Sequence, residues 1–275
     1  MARWTPERRR KLRVKTGFSI YYVLFLAFIY GPMFAMFILS FQGRRGGTSF
    51  PMRGFRFYWW EKLLEPSTVG DMQGAIGRSI ILALMVMVIT ALFSTMLAMA
   101  FRKPFLFSNT LFYTILTGLM VPGVLLSLGL ATLLRQLGIP PNWYSSALAV
   151  HVVWALPFGY LVMMAVFNRF DSRLEEAARD MGANEWTVFK EVTLPLITPG
   201  IVAAGLFGFP LSYDEFARTT LLAGAENTLP LDINASMTQR IRPTLFALGT
   251  ASTLFSLIMI SVFLGIYTIL YRRSR

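Results

Sequence analysis

Apolar residues come in long, nearly unbroken runs along this 275-residue chain, separated by short polar stretches. The runs lack the strict alternation of half-buried strands. Several exceed the ~20 residues that carry a helix across a hydrocarbon core. They predict six helices: Phe18–Phe41, Ile80–Phe101, Leu111–Leu134, Ser146–Phe167, Ile197–Leu222 and Thr244–Tyr271. In lipid, backbone polar groups must be bonded within the segment, and the alternating segments of a membrane barrel are missing. The fold class is therefore an all-α membrane protein with six transmembrane helices. The first run is too long for the apolar region of a cleavable signal peptide and reads as an anchor.

Composition sharpens this picture. The chain is 55% hydrophobic and only 15% charged, against roughly 25% charged in soluble domains. Its 26 basic and 14 acidic residues would suit nucleic acid, but the basic residues flank the apolar runs. There they orient a membrane protein, so the surroundings are membrane lipid and no nucleic-acid partner is expected. The absence of Cys and the single His exclude disulfides, thiolate sites and His-cluster metal sites, so no metal or cofactor is expected. With the N-terminus inside, 16 of the 26 basic residues lie on the inner side, seven of them between Arg3 and Lys15. The expected organisation is a basic cytoplasmic tail over 1–17 and a transmembrane domain over 18–275. Both termini and the loop at 169–196 are then cytoplasmic.

In the outer segment 42–79, Phe55, Phe57, Tyr58, Trp59 and Trp60 precede Glu61-Lys62-Leu63-Leu64. They predict a short helix at the membrane interface, where aromatic rings with a polar edge collect. Trp143 and Tyr144 read the same way. His151 is expected to pack rather than act. Pro122 and Pro157 fall inside spans three and four and can kink them. Ala204 and Gly208 form a small-xxx-small step for close helix contact.

The loop at 169–196 is more ordered than a connector requires. Leu174, Ala177, Ala178 and Met181 recur at the spacing of one helical face, with Glu175, Glu176, Arg179 and Asp180 opposite. Asp171 or Ser172 can cap this helix, and Gly182 stands where a left-handed residue would end it. Asn184 can cap a second turn carrying Trp186, Val188 and Phe189. Pro195 then stops that turn and Pro199 opens span five. The pair could float on the inner leaflet, but anionic lipid repels its acidic residues. Docking of a partner protein accounts better for its acidic density and small contact residues.

Span five contains a polar break. Ile197 to Leu211 covers about 22 Å, short of the ~30 Å core. The helix is expected to continue through Ser212, Tyr213, Asp214, Glu215, Phe216 and Arg218 to Leu221 and Leu222. A charge at that depth costs roughly 2.5 kcal/mol or more and should face a cavity or a partner. Two readings stand together here. One is a substrate pathway. The other is a structural pair between Asp214 and Arg218 at i, i+4 that leaves Glu215 free.

The spacing Glu176-Ala177-Ala178, Gly182, Leu194-Pro195 resembles the EAA loop of the membrane subunits of type I ABC importers, with Val192 where Ile is usual. The resemblance covers nearly the whole chain after the basic tail. It implies type I ABC importer permease architecture, with the first span wrapping a partner. It makes the loop a coupling helix, carried by Glu175, Glu176, Ala177, Ala178, Asp180, Met181, Gly182, Trp186, Phe189, Leu194 and Pro195. The string Ser212-Tyr213-Asp214-Glu215-Phe216, followed by Thr228-Leu229-Pro230, resembles spermidine/putrescine-type permeases, whereas sugar permeases tend to place Trp-Asn-Glu there. The implied partners are ATP-binding ABC subunits, a second and different permease subunit, and an extracytoplasmic solute-binding protein. The implied location is the bacterial inner membrane.

No Gly-x-x-x-x-Gly-Lys-Ser/Thr occurs, so ATP hydrolysis is expected of a separate subunit and this chain is not an enzyme. Asp214 and Glu215 against Arg218 leave a formal charge of −1, and Tyr213 and Phe216 offer rings to a cation. A cationic, polyamine-like solute follows; opines, phosphonates, ferric ion and sugars are the alternatives. An intramembrane protease would need two facing carboxylates, but adjacent helical residues point ~100° apart. A secondary transporter would show inverted repeats, and none is detected.

Overall fold

The computed structural model describes residues 6–65, 71–239 and 242–273. The first five residues of the basic tail, Arg3 among them, lie outside these, as does Arg275. Every regular element among the described residues is helical. The helices are α1 Pro6–Leu39, α2 Tyr58–Leu64, α3 Met72–Ala100, α4 Ser108–Thr117, α5 Gly123–Gln136, α6 Leu148–Phe167, α7 Arg173–Asp180, α8 Glu185–Val188, α9 Leu194–Tyr213, α10 Leu229–Gln239 and α11 Pro243–Arg273. Turns of π-helix precede α6 over Trp143–Ala147 and α9 over Phe189–Thr193. Among the described residues, five helical runs are long and apolar enough to cross a membrane: Val14–Leu39, Met72–Ala100, Trp143–Phe167, Glu185–Tyr213 and Pro243–Ile269.

The chain forms two compact units. One comprises 1–66 and 237–254. In it α1 starts at Pro6, so the basic residues from there to Lys15 are helical and continuous with the first span. Beyond α1 the chain turns on Gln42, which is fully buried. Its Oε1 accepts from Arg53 N at 2.6 Å and its Nε2 donates to Gly47 O at 3.3 Å. The Phe41 ring packs against Phe55, Phe57 and Trp60, and the predicted short helix follows as α2.

The other unit comprises 67–236 and 255–275. Its centre is the mutual packing of α3, α6 and α9. Leu82 and Val86 of α3 meet Val150 and Ala155 of α6 in one buried cluster. Ala98, Tyr160, Met163, Ile197 and Ala204 form a second. The small-xxx-small step works as expected: a Cβ on Gly208 would lie 2.9 Å from Met87 Cα. Lipid supplies no hydrophobic drive between helices, so such close approach and its dispersion contacts hold spans together.

Three expectations are corrected. Span three is not one helix. Tight i→i−3 bonds from Gly118, Leu119 and Met120 wind down α4, and Pro122, with no N–H and ψ of 125°, breaks the chain before α5. Pro195 does not stop the second turn of the loop, and Pro199 lies inside α9 rather than opening it. The π-turn lets Leu194 N bond back to Phe189 O, and Pro195 falls in the first turn, where its missing donor is tolerated. Finally, span five ends at Tyr213 instead of running on to Leu222. Glu215 takes the role of a cap there: its Oε1 accepts from Arg218 N at 2.9 Å and opens a separate turn.

Candidate functional site

The loop between α6 and α9 is built as its sequence proposes at both ends of α7. Asp171 Oδ1 accepts from Arg173 N at 3.0 Å. Gly182 adopts φ of +89°. Its N–H donates to Arg179 O at 2.8 Å and Ala183 N–H to Ala178 O at 3.1 Å, the paired bonds of a Schellman ending. Asn184 Oδ1 then caps α8 by accepting from Thr187 N at 2.9 Å. Arg179 forks onto Glu185 across the turn at 2.7 and 3.0 Å, in the open.

The faces of α7 sort differently from the expectation. Leu174, Ala177 and Met181 are exposed, Met181 at 83%, as are Glu176, Asp180 and, from α8, Trp186 at 69%. Ala178 and Glu175 are buried. Phe189 is half-buried with its ring 5.8 Å from that of Trp186, Leu194 is half-buried and Pro195 exposed. Leu174, Ala177 and Met181 of the apolar stripe therefore face outward while Ala178 does not, and Glu175, expected on the exposed acidic side, turns inward. The reason is Arg102, at the end of α3. Its two terminal nitrogens donate to Glu175 Oε1 and Oε2 at 2.9 and 2.7 Å. Thr193 Oγ1 donates to Oε1 at 2.6 Å. The Arg102 fork holds the Glu175 carboxyl below its ordinary range, against burial, which raises it. Arg102, Glu175, Glu176, Arg179 and Phe189 line part of a recess of about 760 Å³. Sequence reasoning missed Arg102 because a basic residue at the inner end of a span is already explained by orientation.

The pathway residues also divide. Ser212 is buried and bonded to His151 Nδ1 at 2.8 Å, while His151 Nε2 meets Thr219 Oγ1 at 2.8 Å. His151 is thus the packed residue its position implied. Tyr213 is buried, stacked on Phe209 and packed against Phe255, so it offers no free face to a cation. The expected Asp214–Arg218 pair does not form. Arg218 Nη1 instead donates to Glu215 Oε2 at 3.0 Å, because the end of α9 removes the i, i+4 geometry. The guanidinium lies 3.6 Å from the centre of the Trp154 ring, and Ser127 Oγ donates to Arg218 O at 2.6 Å. Asp214 is exposed, and Phe216 is 38% exposed beside it in sequence. Of the two carboxylates, Glu215 is engaged in holding the turn and Asp214 is presented.

The comparisons with known proteins fit this geometry. The model of the family described as binding-protein-dependent transport system inner membrane component matches residues 91–275. The chain is 30% identical over 240 residues to the spermidine/putrescine transport system permease protein PotC of Haemophilus influenzae, covering 85% of this chain and 90% of that protein. It is 28% identical to the putrescine transport system permease protein PotI of Escherichia coli, covering 83% and 82%. Its fold is that of a chain in the crystal structure of a bacterial ABC transporter involved in the import of the acidic polysaccharide alginate. The TM-score is 0.66 at 16% identity, over 98% of this chain and 99% of that one.

Proposed function

The chain belongs to the family of binding-protein-dependent transport system inner membrane components, and we propose that it forms half of the translocation pathway for a polyamine-like cation. It is a multi-pass transport subunit of the inner membrane and not itself an ATPase. A separate ATP-binding subunit hydrolyses ATP, an extracytoplasmic binding protein delivers the solute, and a second, related permease completes the pathway. The loop at 169–196 is cytoplasmic, with both termini on the same side. Its outward residues, Leu174, Glu176, Ala177, Met181 and Trp186, dock the ATP-binding subunit. Exposed apolar side chains rimmed by acidic ones suit a protein cleft better than anionic lipid.

The observation that carries the solute reading is the inequality of the two carboxylates. Glu215 is neutralised by Arg218, and that guanidinium is covered by Trp154. Asp214 follows α9 with its carboxylate open. A primary or secondary ammonium can donate to it, and low dielectric strengthens the pairing. The test is uptake of radiolabelled spermidine or putrescine by the assembled complex carrying Asp214→Asn or Asp214→Ala. Uptake is expected to fall at least about tenfold, the loss of one charge-assisted hydrogen bond. Unchanged amine uptake in an assembled Asp214→Ala complex removes this carboxylate from the pathway.

A further inference from the structure

We propose that the Arg102–Glu175 pair is the joint through which movement of α7 reaches the spans, a positioning pair for coupling that lies off the docking face. It rests on the reading of α7 as the element that meets the ATP-binding subunit. The first ground is convergence. Glu175 is buried on α7 and held by the end of α3 through Arg102 and by the turn leading into α9 through Thr193. The Arg102 guanidinium also lies 5.3 Å from the Phe167 ring centre and 5.0 Å from that of Phe170, at the end of α6. The cytoplasmic-loop ends of the three mutually packed spans therefore meet at the Arg102–Glu175 pair: α3 through Arg102, α6 through the rings beside that guanidinium, and α9 through Thr193.

The second ground is the character of the contact. A two-pronged guanidinium–carboxylate contact fixes direction as well as distance, and the two rings near the guanidinium add cation–π attraction at the end of α6. A displaced α7 carries the ends of the spans with it rather than sliding past them. The other ion pairs of this region do not have that reach. Arg179–Glu185 is exposed and joins α7 to the next turn in sequence, and Lys190–Glu191 joins neighbours. The third ground is the separation of faces. Successive residues on a helix point ~100° apart, so Glu176 and Ala177 stay outward while Glu175 and Ala178 are buried, Glu175 against Arg102 at the end of α3.

The experiment uses the complete importer in proteoliposomes, with variants R102Q, R102K, E175Q and the exchange R102E/E175R. Each is read for retention of the ATP-binding subunit, for the ratio of ATP hydrolysis with loaded binding protein to that without, and for uptake. R102Q and E175Q are expected to keep the ATP-binding subunit and to lose about tenfold in the stimulation ratio and in uptake, a coupling effect of the usual size. R102K should fall between them and wild type, since an ammonium keeps the charge but not the fork. The exchange should recover most of the loss. Stimulation within about twofold of wild type in both single variants overturns the proposal. So does an exchange no better than either single. Loss of the ATP-binding subunit from R102Q or E175Q would make the pair a docking element, which also overturns it. Failure of the underlying reading shows separately: a cysteine at Met181 in the otherwise wild-type complex would then give no cross-link to the ATP-binding subunit.

Discussion

Replacement of Gly182 isolates the backbone of the coupling loop from its side chains. The residue adopts φ of +89°, and a Cβ built there would meet nothing within 4 Å. A substitution therefore costs no collision; its cost is conformational. Holding an L-residue in the left-handed region costs about 1–2 kcal/mol, least for Asn and most for a β-branched residue. The chain can escape by turning to negative φ. It then loses the bonds Gly182 N–H to Arg179 O and Ala183 N–H to Ala178 O, at about 0.5–1.5 kcal/mol each. The two routes are similar, so Gly182→Val should weaken the native arrangement of α7 and α8 by about 1–3 kcal/mol. The Arg179–Glu185 pair across the turn offsets little of this because it is exposed. A partner that binds only the native arrangement must restore it, which lowers docking by up to about a hundredfold. The assay is ATP hydrolysis stimulated by loaded binding protein in the reconstituted complex, measured across Asn, Ala and Val at 182. Activity should decline in that order from the glycine protein. Full stimulation with Val, or an Asn variant worse than Val, would refute the reasoning.

Helix packing and topology are open to equally direct checks. Gly208→Ala drives a Cβ to 2.9 Å from the Met87 backbone, whereas Gly205→Ala meets the flexible Met87 side chain at 3.3 Å. Denaturant titration in detergent should show a loss of about 1–3 kcal/mol for the first and clearly less for the second; equal losses would mean that α3 and α9 are not in backbone contact there. The chain has no Cys, so single cysteines at Asn184 and Gly47 report topology cleanly. They should label from opposite faces of sealed vesicles, and labelling from one face would remove the proposed orientation.

What could be read from the sequence divides along physical lines. The long spans were legible because twenty or so consecutive apolar residues leave few alternatives. The loop was legible because Gly182 and Asn184 act locally, through their own φ and their own side chain. The errors lie where backbone groups are satisfied by something other than the regular ladder. Periodicity carries span three straight through Gly118 and Pro122, yet the chain breaks there. It carries span five through Asp214, yet Glu215 supplies a new cap and the helix stops. The inward turn of Glu175 was invisible for a different reason. Its partner is 73 residues away, and helical periodicity puts Glu175 with the solvent-facing acids. α10 escaped notice because Leu229–Gln239 is short and mixed in polarity.

The corrected geometry leaves the formal charge near the end of α9 unchanged but relocates it. In a continuous helix Asp214 and Arg218 would neutralise each other and leave Glu215 as the free acid. With the helix ended at Tyr213, Arg218 is consumed by Glu215 and by the Trp154 ring, and Asp214 becomes the open charge. It now stands at the C-terminus of a 20-residue helix. A helix C-terminus carries partial negative charge and favours cations. Carboxylate and helix end thus act in the same sense, which neither would do if the helix ran on. The positive charge that an anionic solute would need is not on offer from Arg218, because both its carboxylate partner and its aromatic cover would first have to be displaced. On the proposed pathway, an anion would need positive charge from outside this turn, whereas an amine needs only the Asp214 carboxylate and the helix end beside it.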